Sequence, residues 1–219
     1  MRKWIPLLVI VLAFGASAAV YSDLPERVPT HWNLSGEVDG WMSREWGAFL
    51  MPLILVAQLG LFYVLPRIDP RGANYTKFKS TYDILIITLM IFMLGVHLLI
   101  LAAAVGVGIP ITRIVPAGVG ILFIVLGNLM PRMRPNWFVG IKTPWTLSSD
   151  RVWDRTHRFS GRLFVVVGAL IVLSALLAPA LAKPVLGFAP WVLVIAVLAY
   201  SYIIWRNDPE ARKNTASRA

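Results

Sequence analysis

The chain has 219 residues, of which 58% are hydrophobic and 15% are charged, and it contains no cysteine. A soluble domain usually has about 25% charged residues, so this composition excludes an ordinary soluble domain and indicates an integral membrane protein. The lack of cysteine excludes disulfides and thiolate metal sites. The net charge of +10 has to be interpreted from its distribution along the chain.

Six apolar segments approach or reach the roughly 20 residues that a helix needs to cross the hydrocarbon core of a bilayer. Helix is predicted because a lone strand in lipid leaves its backbone groups without partners. We therefore predict an all-α integral membrane protein, a bundle of six transmembrane helices, with short connections at Gly106–Ile111 and Lys183–Gly187. The predicted spans are Trp4–Tyr21, Trp46–Leu65, Tyr82–Val105, Thr112–Met130, Leu163–Ala182 and Phe188–Trp205.

Lysine and arginine predict the orientation of the bundle. With both termini in the cytoplasm, only four of the 21 basic residues fall outside, which leaves 17 inside. This distribution is typical of the positive-inside rule. It also favours contact with the anionic inner leaflet, so direct nucleic-acid binding is not needed to explain the charge. The outer four are Arg27, Arg44, Arg113 and Lys183.

We predict a single membrane domain without an internal linker. Residues 1–105 form an N-terminal membrane region with an extracytoplasmic loop at 22–45. Residues 106–205 form a second membrane region with a cytoplasmic loop at 131–162, and residues 206–219 form a cytoplasmic tail. The first span also matches a secretory signal with an Ala16-Ser17-Ala18 cleavage site, covering residues 1–18. We favour an uncleaved helix, because the apolar run continues through Val20 and reaches spanning length.

The outer loop, SDLPERVPTHWNLSGEVDGWMSRE, is predicted to be an ordered, compact cap. Its prolines restrict the preceding residues to extended shapes, and its glycines allow turns. The loop offers exposed aromatic and charged groups to an extracellular peptide. His31 and Asp39 are weak metal candidates, since one histidine with no compact ligand spacing predicts no metal site. The candidate ligand-facing residues are Pro25, Pro29, His31, Trp32, Gly36, Asp39 and Trp41.

The inner loop begins with a proline-rich stretch and continues into a helix. Ser148-Ser149-Asp150 offers a capping hydroxyl and a first-turn acid. Four arginines then recur at spacings of 4, 3 and 4, which places them on one face of a helix. An apolar stripe of Val152, Phe159 and Leu163 lies beside them, so we predict an amphipathic helix on the inner interface. The predicted lipid-facing stripe is Arg151, Arg155, Arg158 and Arg162.

Amphipathicity does not explain the other polar residues of this loop. Thr143, Pro144, Trp145 and Thr146 require either a specific loop fold, with hydroxyls capping turns, or a specific partner. His157 as a catalytic base is disfavoured, because no Ser, Cys or carboxylate group accompanies it in a catalytic pattern.

Two stretches of the chain resemble known sequences. GNLMPRMRPNWFVGIKTPWTLSSDRVWDRTHRFSG, residues 127–161, resembles the signature of the SdpI family of bacterial membrane proteins, with Lys142 where arginine is expected. LPERVPTHWNLSGEVDGW, residues 24–41, resembles the domain of unknown function that often precedes it. The resemblance implies a six-span bundle in the bacterial cell membrane and immunity to a secreted toxin peptide. It also implies that a cognate transcriptional repressor is held at the membrane.

The resemblance assigns the cytoplasmic motif to specific positions. We expect these residues to form the inner functional site, with no catalytic residue, cofactor or metal. The positions are Asn128, Asn136, Gly140, Thr143, Pro144, Trp145, Thr146, Trp153, Thr156 and His157.

Three functions remain open from the sequence. The leading hypothesis is a non-enzymatic immunity and signal-transduction protein, with a secreted peptide toxin as the outer partner and a cytoplasmic repressor as the inner one. The alternative is a small transporter or channel for a peptide or lipid, with a path past Gln58, His97 and Asn128. A membrane enzyme is less favoured, since no catalytic constellation is visible.

Overall fold

The computed structural model describes residues 4–33 and 35–208. Leu34 of the outer loop and residues 209–219 of the predicted tail lie outside the described residues, as do Arg2 and Lys3. Short 3₁₀ turns cover Tyr21–Asp23, Gly72–Phe78 and Met130–Arg132. The main elements are α1 (Ile5–Val20), β1 (Arg27–Trp32), β2 (Val38–Ser43), α2 (Arg44–Ile68), α3 (Lys79–Ala104), α4 (Ile111–Leu129), α5 (Pro144–Ser148), α6 (Asp150–Leu177) and α7 (Pro179–Arg206).

Six helices of the described residues are long and apolar enough to cross a membrane. They are α1, α2, α3, α4, α6 and α7, and they confirm the predicted six-helix bundle. α5 has five residues and serves as a connector.

The last two spans begin earlier than predicted. α6 starts at Asp150, so the amphipathic segment and the fifth span form one continuous helix of 28 residues. The chain turns at Ala178, where φ is −138° and ψ is 68°. The predicted connection at Lys183–Gly187 was therefore wrong and lies inside α7. The break falls at Ala178 because the residue before a proline avoids the helical conformation.

The six long helices pack as two groups of three. α1, α2 and α3 contact one another, α6 packs between α4 and α7, and α3 meets α4 where the groups join. Val9, Leu55 and Met90 form one buried cluster of the first group. Ile171 and Leu193 belong to a buried cluster of the second group. The predicted division of the chain at residues 105 and 106 stays a prediction.

α1 is an integral part of the first group. Its residues Val9, Ala13 and Ser17 are buried. The Ser17 hydroxyl lies 2.6 Å from the Ala48 carbonyl oxygen and 2.9 Å from His97 Nε2, so it links three helices. Whether the chain is cleaved after Ala18 is not tested by these contacts, and the uncleaved helix stays a prediction.

The two long loops lie at opposite ends of the bundle. The strands β1 and β2 sit where α1 and α3 end and α2 begins, and Val28 fits into the space left by Gly47. The segment between α4 and α6 sits where α3 and α6 begin and α4 and α7 end. We call these the hairpin end and the motif end. Which end faces the cytoplasm stays a prediction.

Candidate functional site

The predicted outer cap is a two-stranded antiparallel hairpin. β1 and β2 pair from Arg27 with Ser43 to Trp32 with Val38, with irregular pairing around His31. Gly40 lies opposite His31, and a Cβ at Gly40 would come within 2.9 Å of the His31 Cβ. The cap is ordered, as predicted, but its strands were not predicted.

The loop between the strands is organised by Asn33. Its side-chain oxygen accepts hydrogen bonds from Ser35 N at 2.8 Å and Glu37 N at 3.1 Å, and its amide donates to Glu37 Oε2 at 2.9 Å. Gly36 has a φ of +81° and lies against Thr112 of α4. A Cβ at Gly36 would come within 2.5 Å of the Thr112 methyl group, so the glycine lets the loop approach the helix.

A cavity of about 550 Å³ lies between this loop and the ends of the helices. Its wall is mainly apolar and comes from α3, α4 and α7, with Leu99, Val115 and Leu186 among the contributing side chains. The rim is polar, and Lys183 donates a hydrogen bond to Ser35 Oγ across it at 3.0 Å. This volume lies in the range of small-molecule and peptide side-chain sites, about 300–1,000 Å³.

The structure brings three of the predicted outer residues to this cavity, namely His31, Trp32 and Gly36. Asp39 Oδ1 lies 2.5 Å from His31 Nδ1. Pro25, Pro29 and Trp41 do not line the cavity. The Trp41 ring instead stacks beneath the Arg27 guanidinium, with 5.6 Å between the guanidinium carbon and the ring centre.

The fold adds little to the weak metal candidates of this loop. Only Asp39 joins His31, and no group of three His, Cys, Asp or Glu residues in the described ranges is placed to hold a metal ion.

At the motif end, Asn136 holds a tight turn together. Its side chain is fully buried. The side-chain amide donates to the carbonyl oxygens of Arg134 and Val139, both at 2.9 Å. The side-chain oxygen accepts from Phe138 N at 3.0 Å and Val139 N at 2.6 Å. The residue thus supplies partners for backbone groups that would otherwise be buried without them.

Thr143 and Thr146 form a capping box at the start of α5. Thr143 Oγ1 accepts from Thr146 N at 3.1 Å, and Thr146 Oγ1 accepts from Thr143 N at 2.9 Å. Pro144 occupies the first helical turn, where a missing N–H costs nothing. Ser149 caps α6 by accepting from Val152 N. Of the two alternatives left open by the sequence, the structure shows the one in which these hydroxyls cap helices.

His157 and Trp153 fasten the preceding loop to α6. Both are buried, and their rings stack with 4.0 Å between centres. His157 Nε2 accepts from Ile141 N at 3.0 Å, so the other ring nitrogen carries the hydrogen and donates to the Trp153 carbonyl at 2.9 Å. Trp153 Nε1 donates to the Met133 carbonyl at 3.0 Å. Gly140, with a φ of +110°, leaves room for the His157 ring.

This packing changes the interpretation of the amphipathic helix. Val152, which was assigned to an apolar stripe facing the interface, forms a buried face of α6 together with Trp153, Thr156, His157 and Ser160. The first turns of α6 therefore pack against protein and do not lie free on the membrane interface. The four arginines of the predicted stripe are all exposed on the opposite face.

Sequence reasoning missed Asp69, which joins the motif to the loop between α2 and α3. Its buried carboxylate accepts hydrogen bonds from Trp137 N at 2.9 Å and the Tyr75 hydroxyl at 3.0 Å. Arg71, in the same loop, donates to the Leu147 carbonyl at 3.2 Å and to Asp150 at 3.1 Å. Contacts between residues 68, 76 and 79 positions apart leave no spacing signal in the sequence.

Three predicted positions lie apart from this buried cluster. Asn128 is exposed on α4 and donates to the Ile124 carbonyl one turn earlier, at 2.8 Å. Trp145 is half-buried against Tyr202 of α7, with 5.2 Å between ring centres, and Pro144 is exposed. The polar residues of the transporter alternative are not brought together, since His97 lies toward the hairpin end and Asn128 toward the motif end.

Comparison with known proteins identifies this arrangement. Residues 132–205 match the profile of the SdpI/YfhL protein family, which covers the buried cluster. Over these residues the chain is similar to the SdpI/YfhL family. Residues 8–56, which include α1 and the hairpin, match a domain of unknown function, DUF1648. The two matches agree with the two stretches that carried the sequence resemblance.

The chain is similar to a protein named immunity protein SdpI from Bacillus subtilis (strain 168). The two are 28% identical over 170 residues, which cover 78% of this chain and 79% of that protein. No solved structure matches the chain significantly. The match to the SdpI/YfhL family and the six apolar helices indicate a multi-pass protein of the bacterial plasma membrane.

The SdpI/YfhL match begins at residue 132. It therefore contains every predicted motif residue except Asn128, the one whose side chain the structure places on the exposed side of α4. The buried members maintain the shape of the motif end. The surface that this shape presents includes exposed residues that sequence reasoning did not select, namely Arg132, Arg134, Trp137 and Lys142.

Proposed function

We propose that this protein is a non-enzymatic membrane immunity protein that protects the cell from a secreted antimicrobial peptide. The similarity to immunity protein SdpI over 78% of the chain carries the proposal. The cavity beneath the hairpin supports it, because an apolar wall with a polar rim suits an amphipathic peptide. The predicted orientation would expose this cavity to the outside, where a secreted peptide arrives.

A cavity-filling substitution tests the immunity role. The Val115 side chain lines the cavity, whereas the neighbouring Ile114 is exposed on the same helix. Cells that lack their own copy receive the wild type, Val115→Trp or Ile114→Trp, and are challenged with spent medium from cultures of the parent species. We expect the wild type and Ile114→Trp to restore survival, and Val115→Trp at equal membrane abundance to fail.

The outcome that contradicts immunity is specific. If deleting the gene leaves survival in spent medium unchanged, the protein protects against none of the secreted peptides. If Val115→Trp protects as well as Ile114→Trp, immunity stands but the hairpin cavity is not its site.

We further propose that the motif end holds a cytoplasmic transcriptional repressor. The supporting feature is an exposed tryptophan among basic side chains: Trp137 is 48% exposed, and Arg132, Arg134 and Lys142 are exposed around the same loop. Tryptophan and arginine are the residues most enriched in protein interfaces.

Affinity purification from native membranes tests this second role. Spent medium should increase the amount of a DNA-binding protein that copurifies, and Trp137→Ala should reduce it. Trp46→Ala is the matched control, since Trp46 is similarly exposed at the hairpin end. Equal capture by both variants, or no DNA-binding protein in any sample, contradicts the repressor role and leaves the immunity role standing.

A further inference from the structure

A second cavity opens at the motif end, between α1, α2 and α3. Its volume is about 480 Å³. It extends from Arg67 to Leu59 on α2 and from Lys79 to Ile87 on α3, which is about 12 Å along each helix at 1.5 Å per residue. Pro6 of α1 contributes to its wall. None of its lining residues belongs to the hairpin cavity. Tyr75 separates it from the buried motif cluster, since its hydroxyl donates to Asn136 Oδ1 at 3.3 Å.

The chemistry of this cavity changes along its length. Its deeper part is lined by Leu59, Ile86 and Ile87. Its charged residues lie at the helix ends, where Arg67 closes α2 and Lys79 opens α3. The apolar part of the cavity lies where the acyl chain of a lipid would lie in a bilayer, and its basic end lies where the headgroup would lie.

The charged end has the groups needed to bind a phosphate. The exposed Arg67 guanidinium donates to the Tyr63 carbonyl one turn earlier through Nη1. A guanidinium has five N–H donors in a fork that matches phosphate, so donors remain for a ligand. Lys79 Nζ lies 2.7 Å from Asp83 Oδ2, and its ammonium has two further donors. Two cations and one carboxylate leave the cavity mouth with a net charge of +1.

We propose that this cavity binds one anionic phospholipid between α1, α2 and α3. The phosphate lies at Arg67 and Lys79, and one acyl chain lies along Leu59 and Ile87. Basic pockets between transmembrane helices are a recurrent way to bind anionic headgroups. This site differs from the arginine stripe of α6, whose residues do not line it, and it does not depend on the proposed immunity function.

Native mass spectrometry of the full chain in detergent tests the proposal, with phosphatidylglycerol and phosphatidylcholine added in equal amounts. We expect one phosphatidylglycerol to remain bound to the wild type in preference to phosphatidylcholine. Arg67→Gln and Lys79→Gln should each weaken its retention about fivefold, the usual contribution of one basic residue near an anionic surface. Arg113→Gln, which removes an exposed charge at the hairpin end and lies outside both cavities, should leave retention unchanged.

A second variant separates the acyl passage from the charge. Ile87→Trp fills the deeper part of the cavity and leaves both cations in place, so it should also abolish retention if the lipid inserts. Equal retention of the two lipids by the wild type overturns the proposal. So does an unchanged result for both Arg67→Gln and Ile87→Trp, an equal loss in Arg113→Gln, or full displacement of the lipid by inorganic phosphate.

Discussion

His157 illustrates, at the scale of a single residue, how a polar side chain is used inside an otherwise apolar bundle. A histidine near the membrane suggests proton transfer or metal binding. Here both ring nitrogens are occupied by backbone groups, Ile141 N and the Trp153 carbonyl. The ring also stacks on Trp153. Its role is therefore to hold the loop before α5 against α6.

Removing this side chain should destabilise the motif end. His157→Ala leaves the Ile141 N–H without its acceptor and opens a cavity beside Trp153. We expect a loss of about 2–4 kcal/mol, the sum of an unsatisfied buried donor and a large-to-small change. His157→Gln, which can supply an acceptor, should lose less. Thermal unfolding of the detergent-solubilised protein measures both.

Arg158→Ala is the control for this prediction. Arg158 follows His157 on α6 and is exposed, and surface substitutions usually change stability by less than about 0.5 kcal/mol. If Arg158→Ala lowers the melting temperature as much as His157→Ala does, the contacts of His157 are not the cause.

At the scale of elements, α4 and α6 approach each other through two pairs of glycines. A Cβ at Gly127 would lie 2.6 Å from the Gly161 carbonyl oxygen, and a Cβ at Gly120 would lie 2.6 Å from that of Gly168. Gly120 and Gly127 are seven residues apart on α4, and Gly161 and Gly168 are seven residues apart on α6. The two helices run antiparallel. Small residues that allow close backbone approach are a common means of helix association in membranes.

Alanine substitutions at these glycines should separate packing from helix propensity. Gly127→Ala and Gly168→Ala force α4 and α6 apart, because the atoms they meet are backbone. Gly60→Ala and Gly95→Ala, on α2 and α3, meet nothing within 4 Å. The latter pair should gain up to about 1 kcal/mol, since alanine is the better helix former. We expect the melting temperature to fall in Gly127→Ala and Gly168→Ala and to rise in Gly60→Ala and Gly95→Ala. A change of the same sign in all four variants would refute the close contact.

The elements also show how far the sequence predicts the fold. Long apolar runs predict six helices, because spanning length is a property of each segment alone. The strands β1 and β2 were not predicted, because Pro29 interrupts the strand pattern of β1 and Gly40 that of β2. The pairing of the two strands is also irregular. The start of α6 at Asp150 was predicted, but the burial of Trp153 and Thr156 in its first turns was not, because only the fold supplies their partners.

The candidate site was predictable to a similar degree. Local functions such as the Thr143 and Ser149 caps follow from spacing along the chain. The role of Asp69 does not, because its partner Trp137 N lies 68 residues away. Whether a motif residue faces a partner or the interior is likewise a property of packing, and most of the motif residues selected from the sequence are buried.

At the scale of the whole molecule, the sidedness of the bundle remains a prediction from charge. The hairpin end carries Arg27, Arg44, Arg113 and Lys183, and most of the 21 basic residues lie elsewhere. Each basic residue near an anionic leaflet contributes about 1 kcal/mol, so the summed bias strongly favours a cytoplasmic motif end. The immunity proposal depends on this bias, because a secreted peptide reaches only the outer end.

The cysteine-free sequence allows a direct measurement of this sidedness. Ser35 is exposed at the hairpin end, and Thr76 is exposed at the motif end. In intact cells a membrane-impermeant maleimide should label Ser35→Cys, because the positive-inside rule places that end outside. Thr76→Cys should react only after the membrane is permeabilised, and the wild type should not react at all. Labelling of Thr76→Cys but not Ser35→Cys in intact cells would invert the bundle. The hairpin cavity would then face the cytoplasm, out of reach of a secreted peptide, whereas the contacts that build the two ends would stay as described.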